Sequence, residues 1–165
     1  MKTIRLPKER GRLNRGEKNA DFSPRVVVVP IDFSPLSDAA VQRAKQVAKQ
    51  FGSKLHLIHV VEPVIQPVEF AIVPPEMEEV NTRLVSERKA RLETIKQTLR
   101  VEGIPCQVQA KLGKPWRAIV DYAKRAKCDL IVIATHGRTG PKHLFMGSTA
   151  ERVVQHAPCS VLVAR

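Results

Sequence analysis

The residues best suited to chemistry lie together in the last third of the chain. Gly137, Gly140 and Gly147 punctuate a polar stretch carrying Arg138 and Lys142, and Ser148 and Thr149 follow at once. Glycine permits positive φ and lets a ligand approach the backbone closely. Ser and Thr favour the start of a helix, where the first amides have no intrahelical acceptor. Such amides, reinforced by the helix dipole, attract a phosphate or similar anion. Ser148-Thr-Ala-Glu151 has a second reading, a capping box in which the Ser148 hydroxyl satisfies the Glu151 amide and needs no ligand.

Asp32 is the other candidate. It follows an apolar run and precedes Ser34-Pro35, so it reads either as a turn aspartate or as an acceptor for ribose hydroxyls near a phosphate-bound metal. His136 has no carboxylate or nucleophile near it in sequence and reads as a polar loop residue rather than a general acid or base. His56, His59, His143 and His156 lack metal-ligand spacing. Gly113-Lys114-Pro115 is not a Walker A loop, and neither Gly-x-Gly-x-x-Gly after a strand nor Gly-x-Ser-x-Gly occurs. No catalytic residue and no metal site is named on these grounds.

These residues need rigid elements to hold them. The pattern predicts strands at Val26–Pro30, Lys54–Val61, Ile104–Leu112, Leu130–Ala134 and Ser160–Ala164, each an apolar run of strand length. Between them helices are expected. The first starts with Ser34 as N-cap and Pro35 at the first helical position, and stops at Gly52. A second, Glu76 to about Glu102, carries Met77, Val80, Leu84, Leu92, Ile95 and Leu99 on one side. A third covers Lys114–Ala126, and the last Ser148–His156. The four prolines between Glu62 and Pro75 predict a long irregular loop, the kind that serves as a lid or partner surface.

Alternating strands and helices mean an α/β domain, and right-handed crossovers between parallel strands give a doubly wound sheet with helices on both faces. Residues 1–24 are polar and basic without period and read as a disordered extension, leaving residues 25–165 as one domain. At 165 residues the chain can bury a substantial core. Cys106, Cys128 and Cys159 are far apart in sequence, form no Cys-x-x-Cys pair, and read as small buried residues of a reducing compartment. Without a signal segment or an apolar run of membrane length, the expectation is a soluble, cytoplasmic protein.

The stretch from Asp129 to Thr149 resembles the ATP-binding branch of the universal stress proteins. That branch carries Gly-x-x-Gly, nine residues, then Gly-Ser or Gly-Thr. Here Gly137 matches the second glycine and Gly147-Ser148 the closing pair, while Ala134 replaces the first glycine and adds a methyl group. The resemblance covers about residues 25–165. It implies a Rossmann-like sheet of order 3-2-1-4-5 and an ATP site, with Mg2+ accompanying the nucleotide. Its binding residues would be Pro30, Ile31, Asp32, Val60, Ile133, Ala134, Gly137, Arg138, Gly147, Ser148 and Thr149. Pro30 and Val60 would flank adenine, Ile31 and Ile133 would give backbone contacts, and the Ser148 hydroxyl would touch phosphate. It also implies a homodimer through Ser160–Ala164, a strand whose apolar edge is a hazard unless paired.

The implied function is a stress-response module that binds ATP and signals to an unidentified protein partner, with at most slow hydrolysis because, apart from Arg138, Lys142 and Asp32, the sequence offers no dedicated machinery for phosphoryl transfer. The alternative is a stress-related interaction module that has lost nucleotide binding through Ala134. The net charge of +12 raises nucleic-acid binding as a third reading. Only 4% aromatic content and the absence of a recognition motif argue against it.

Overall fold

The computed structural model describes residues 22–63, 75–135 and 146–165. Its elements are β1 (Val26–Pro30), α1 (Pro35–Phe51), β2 (Lys54–Val61), α2 (Pro75–Val101), β3 (Cys106–Leu112), α3 (Pro115–Arg125), β4 (Leu130–Ala134), α4 (Ser148–His156) and β5 (Ser160–Ala164). The strands form one parallel sheet in the order β3-β2-β1-β4-β5. This is the doubly wound, Rossmann-like architecture expected from the alternating pattern and the resemblance. Of the expected extension, residues 1–24, the first 21 lie outside the described residues, as does the proline-bearing loop apart from its ends. No helix among the described residues is long and apolar enough to cross a membrane.

Alternation along the strands divides the core in two. Val27, Val29, Leu55, Leu57, Leu130 and Val132 pack with α1 and α2, while Val28, Ile58, Ile131 and Ile133 pack with α3 and α4. Both faces of the central strands are therefore apolar, which is why β1 and β4 read as unbroken hydrophobic runs. The Asp129 carboxylate accepts from the amides of Arg25 and Val26, each at 2.9 Å, and ties the entry of β1 to that of β4. Just upstream, Pro24 is buried with its carbonyl accepting from the Ser53 hydroxyl, and Phe22 sets its ring edgewise against Phe51.

Three expectations are corrected in detail. β3 starts at Cys106 rather than Ile104, because the Ile104 amide donates to Leu99 O at the end of α2 and Pro105 has no amide to enter a ladder. α3 is one residue shorter at each end, with Lys114 and Ala126 as caps. The apolar side of α2 is buried only in its second half. Leu92 and Leu99 are fully covered, but Val80 is 48% exposed. Length explains this: 27 residues of helix span about 40 Å, against about 26 Å for the longest strand.

Candidate functional site

A cleft of about 340 Å³ opens at the carboxyl ends of the strands, a size at the lower end of ligand pockets. It sits where β1 lies beside both β2 and β4, the point at which strand order reverses and open α/β sheets accept ligands. Pro30, Ile31 and Asp32 line it from the exit of β1, Val60 from the end of β2, Ile133 and Ala134 from the end of β4, and Gly147, Ser148 and Thr149 from the start of α4. Nine of the residues expected from sequence thus meet in one cleft. Gly137 and Arg138 lie outside the described residues, as do Gly140, Lys142, His136 and His143.

The start of α4 is built differently from the capping box the sequence suggests. Gly147, not Ser148, occupies the cap position, and no side chain among the described residues caps this end. The Glu151 amide donates to the Gly147 carbonyl at 2.9 Å, so Ser148 has no orphan amide to satisfy there and lies in the first turn. The Gly147 amide is itself engaged, donating to Thr135 O at 2.7 Å, while the Thr135 amide donates to Ala164 O at 3.0 Å. The amides of Ser148, Thr149 and Ala150 are thereby the ones that helix geometry leaves facing outward. Gly147 has φ −72 and makes no use of positive φ. It lines the cleft.

Ala134 ends β4 beside Ala164 of β5, and the only described non-glycine residues at positive φ are Phe33 and Lys127. A glycine's backbone freedom is not needed at Ala134, which reduces the departure from the family pattern to one methyl group.

The exit of β1 is braced. Ser34 caps α1 by accepting from the Ser37 amide, and the Asp32 carboxylate accepts from the Ser34 amide at 3.0 Å and the Ser34 hydroxyl at 2.6 Å. Between them Phe33 has φ 62, a rare conformation for an aromatic residue. Its ring lies 4.8 Å from that of His59 and 4.1 Å below the Arg91 guanidinium, a cation–π contact. The His59 ring in turn bonds Ile31 O through Nδ1 at 2.7 Å. A carbonyl only accepts, so Nδ1 carries the proton. Burial lowers the His59 pKa and Arg88 and Arg91 add to this, against the opposing pull of the Ile31 bond and of Asp32.

Sequence reasoning missed this stack, since His59 showed no ligand spacing and α2 is distant along the chain. It also missed Pro115 and Ile119, which line the cleft from α3; a proline at a first helical position beside a strand end was the available signal. Among the described residues no group of three or more His, Cys, Asp or Glu is placed to hold a metal ion.

A parallel sheet with this strand order, two helical layers and a cleft at its switch point defines a Rossmann-like α/β protein. The universal stress protein family model matches residues 24–165, and the chain belongs to that family. It is 33% identical over 155 residues to a universal stress protein of Methanocaldococcus jannaschii, covering 93% of this chain and 89% of that protein. The structure of the universal stress protein UspA from Lactobacillus plantarum matches with a TM-score of 0.72 at 28% identity, covering 86% of this chain and 97% of that one. A further universal stress protein, described in complex with cAMP, shares the fold with a TM-score of 0.59 at 22% identity, covering 87% of this chain and 98% of that one.

Proposed function

We propose that this protein is a stress-response module that binds ATP in the cleft at the carboxyl ends of β1, β2 and β4. The observation that carries this reading is the convergence of Asp32, Val60 and the uncapped start of α4 on one cleft. A universal stress protein of the same fold is described in complex with cAMP, which supports an adenine nucleotide as the ligand class. The residues present suit the ligand. Pro30 and Val60 flank the base, Asp32 accepts from the ribose, and the amides of Ser148 and Thr149 face the phosphates, helped by the α4 dipole. Gly137 and Arg138 join them on the family resemblance. Bound Mg2+ would neutralise phosphate charge, and this chain's own contribution is to seat and orient the nucleotide.

The same residues explain why turnover should be slow. Apart from Asp32, and from Arg138 and Lys142 in the glycine-bearing stretch, the sequence offers no dedicated group to orient a water or to stabilise a transferred phosphoryl. Nucleotide occupancy is then a signal, read by a protein partner in the cytoplasm rather than by a membrane or nucleic acid. A homodimer would form through β5, an edge strand whose Leu162 is 37% exposed; edge strands of this kind invite pairing. The experiment is equilibrium binding of ATP with Mg2+, run beside Gly147→Val. Micromolar binding lost in the variant supports the reading. Absence of binding by the native protein transfers the assignment to an interaction module, with the Ala134 methyl as its cause.

A further inference from the structure

Cys128 and Cys159 are separated by 31 positions of chain, yet their sulfurs lie 2.8 Å apart. The register explains how. β4 and β5 run side by side with Leu130 opposite Ser160, and each cysteine immediately precedes or nearly precedes its strand. The pair sits at the amino edge of the sheet, the end opposite the cleft. A disulfide bond measures about 2.05 Å, so bonding requires the sulfurs to close by less than 1 Å. Both thiols are free, Cys128 buried and Cys159 partly exposed.

We propose that Cys128 and Cys159 form a dithiol modification site, which hydrogen peroxide converts to an intramolecular disulfide and a thiol reductant restores. Cys159 is the attacking sulfur. It is the more accessible of the two, and the hydrogen bond from the Cys128 thiol lowers its pKa while raising that of Cys128. Thiolate character and access are what select a cysteine for oxidation. In the first step the Cys159 thiolate attacks peroxide, an S–O bond forms as the O–O bond breaks, and one water leaves after proton uptake. In the second the Cys128 sulfur attacks the resulting sulfenic acid, an S–S bond replaces the S–O bond, and the second water departs. Two thiols lose two electrons in all, and one peroxide gains them.

Cys106 provides a contrast within the same molecule. It lies on β3 at the other edge of the sheet, and burial pushes its thiol up to about 11. Neither geometry nor acidity favours its oxidation. The inference is independent of the nucleotide reading, although the loop that the disulfide would close contains β4 and α4, and thus one wall of the cleft.

The test uses the full chain, reduced, desalted and exposed to hydrogen peroxide, then alkylated in denaturant and digested with trypsin. The three cysteines fall in separate tryptic peptides, 101–111, 128–138 and 153–165. The expected result is a link between 128–138 and 153–165 within one molecule, reversed by dithiothreitol, with Cys106 still alkylated. The oxidised protein should melt roughly 5 °C or more above the reduced one, because the bond restrains a loop of about thirty residues in the unfolded chain. In Cys128→Ser, Cys159 should be trapped by dimedone as sulfenic acid. The proposal is overturned if both cysteines remain alkylated at peroxide doses that oxidise glutathione, if they oxidise singly without linking, or if the link joins two molecules or involves Cys106.

Discussion

Two helices begin at the rim of the cleft, and they begin in opposite ways. At α1 the chain satisfies itself: Ser34 accepts from Ser37, Asp32 accepts from Ser34, and the Phe33–His59–Arg91 stack holds the turn between them. At α4 the cap position is Gly147, no side chain among the described residues caps the end, and the Gly147 amide is drawn back to Thr135. One start is closed by its own side chains. The other, among the described residues, has no side chain turned back on its first amides. A capped helix start is a structural joint, whereas an uncapped one beside a cleft is a seat for an anion.

Mutations that erase this difference should act unequally. Gly147→Val places a branched side chain where room is needed, at a φ of −72 that valine accepts. ATP affinity should fall about 100-fold, near 2.7 kcal/mol, with an unchanged circular dichroism spectrum; retained affinity would mean that α4 is no seat. Ser34→Ala opens the closed start, removing a cap and a bond to a carboxylate. Urea unfolding should record a loss of about 2 kcal/mol, a structural effect first. Asp32→Ala should weaken ATP about tenfold, or 1.4 kcal/mol, by calorimetry.

Acidification probes the brace at α1. The folded-state pKa of His59 is lowered by burial, so the unfolded chain binds its proton more readily. Stability from this source is complete above the unfolded value, about 6.5, and declines as pH falls below it. His59→Asn should flatten part of that decline in melting temperature between pH 7.5 and 5.5. The smallest effect belongs to Ser148→Ala. With no cap bond to lose, its unfolding free energy should change by less than about 0.5 kcal/mol; a loss near 1 kcal/mol would restore the capping box.

The limits of sequence reading follow the same division between local and distant causes. β1, β2, β4, α4 and β5 have the bounds expected, because unbroken apolar runs between glycine and proline punctuation record burial on both faces of a parallel sheet. The Ser34 cap, Pro35 and Gly52 behave as local chemistry dictates. Ser148 misled because Ser-x-x-Glu is only a local pattern, and the bond from Gly147 to Thr135 shifts the cap by one residue. The Cys128–Cys159 contact was invisible, since it depends on the register of two strands. Arg91 over Phe33 likewise joins residues from helices and turns that only the sheet brings together. Strand order itself came from family resemblance, as five similar apolar runs do not order themselves.

The reversal of strand order also sets when the cleft can come into being. β1, β2 and β3 are consecutive in the chain and can pair as soon as residues up to Leu112 have been synthesised. β4 must return to β1 across more than a hundred positions, as the bond between Arg25 and Asp129 records. Chains fold from the end made first, and distant pairings form slowly. Asp32 and Val60 therefore line only part of the cleft until β4 and α4 have been made. Any ligand of this cleft is a late arrival in the life of the chain: it cannot guide the early folding steps, and it rewards only molecules in which β4 has already joined β1.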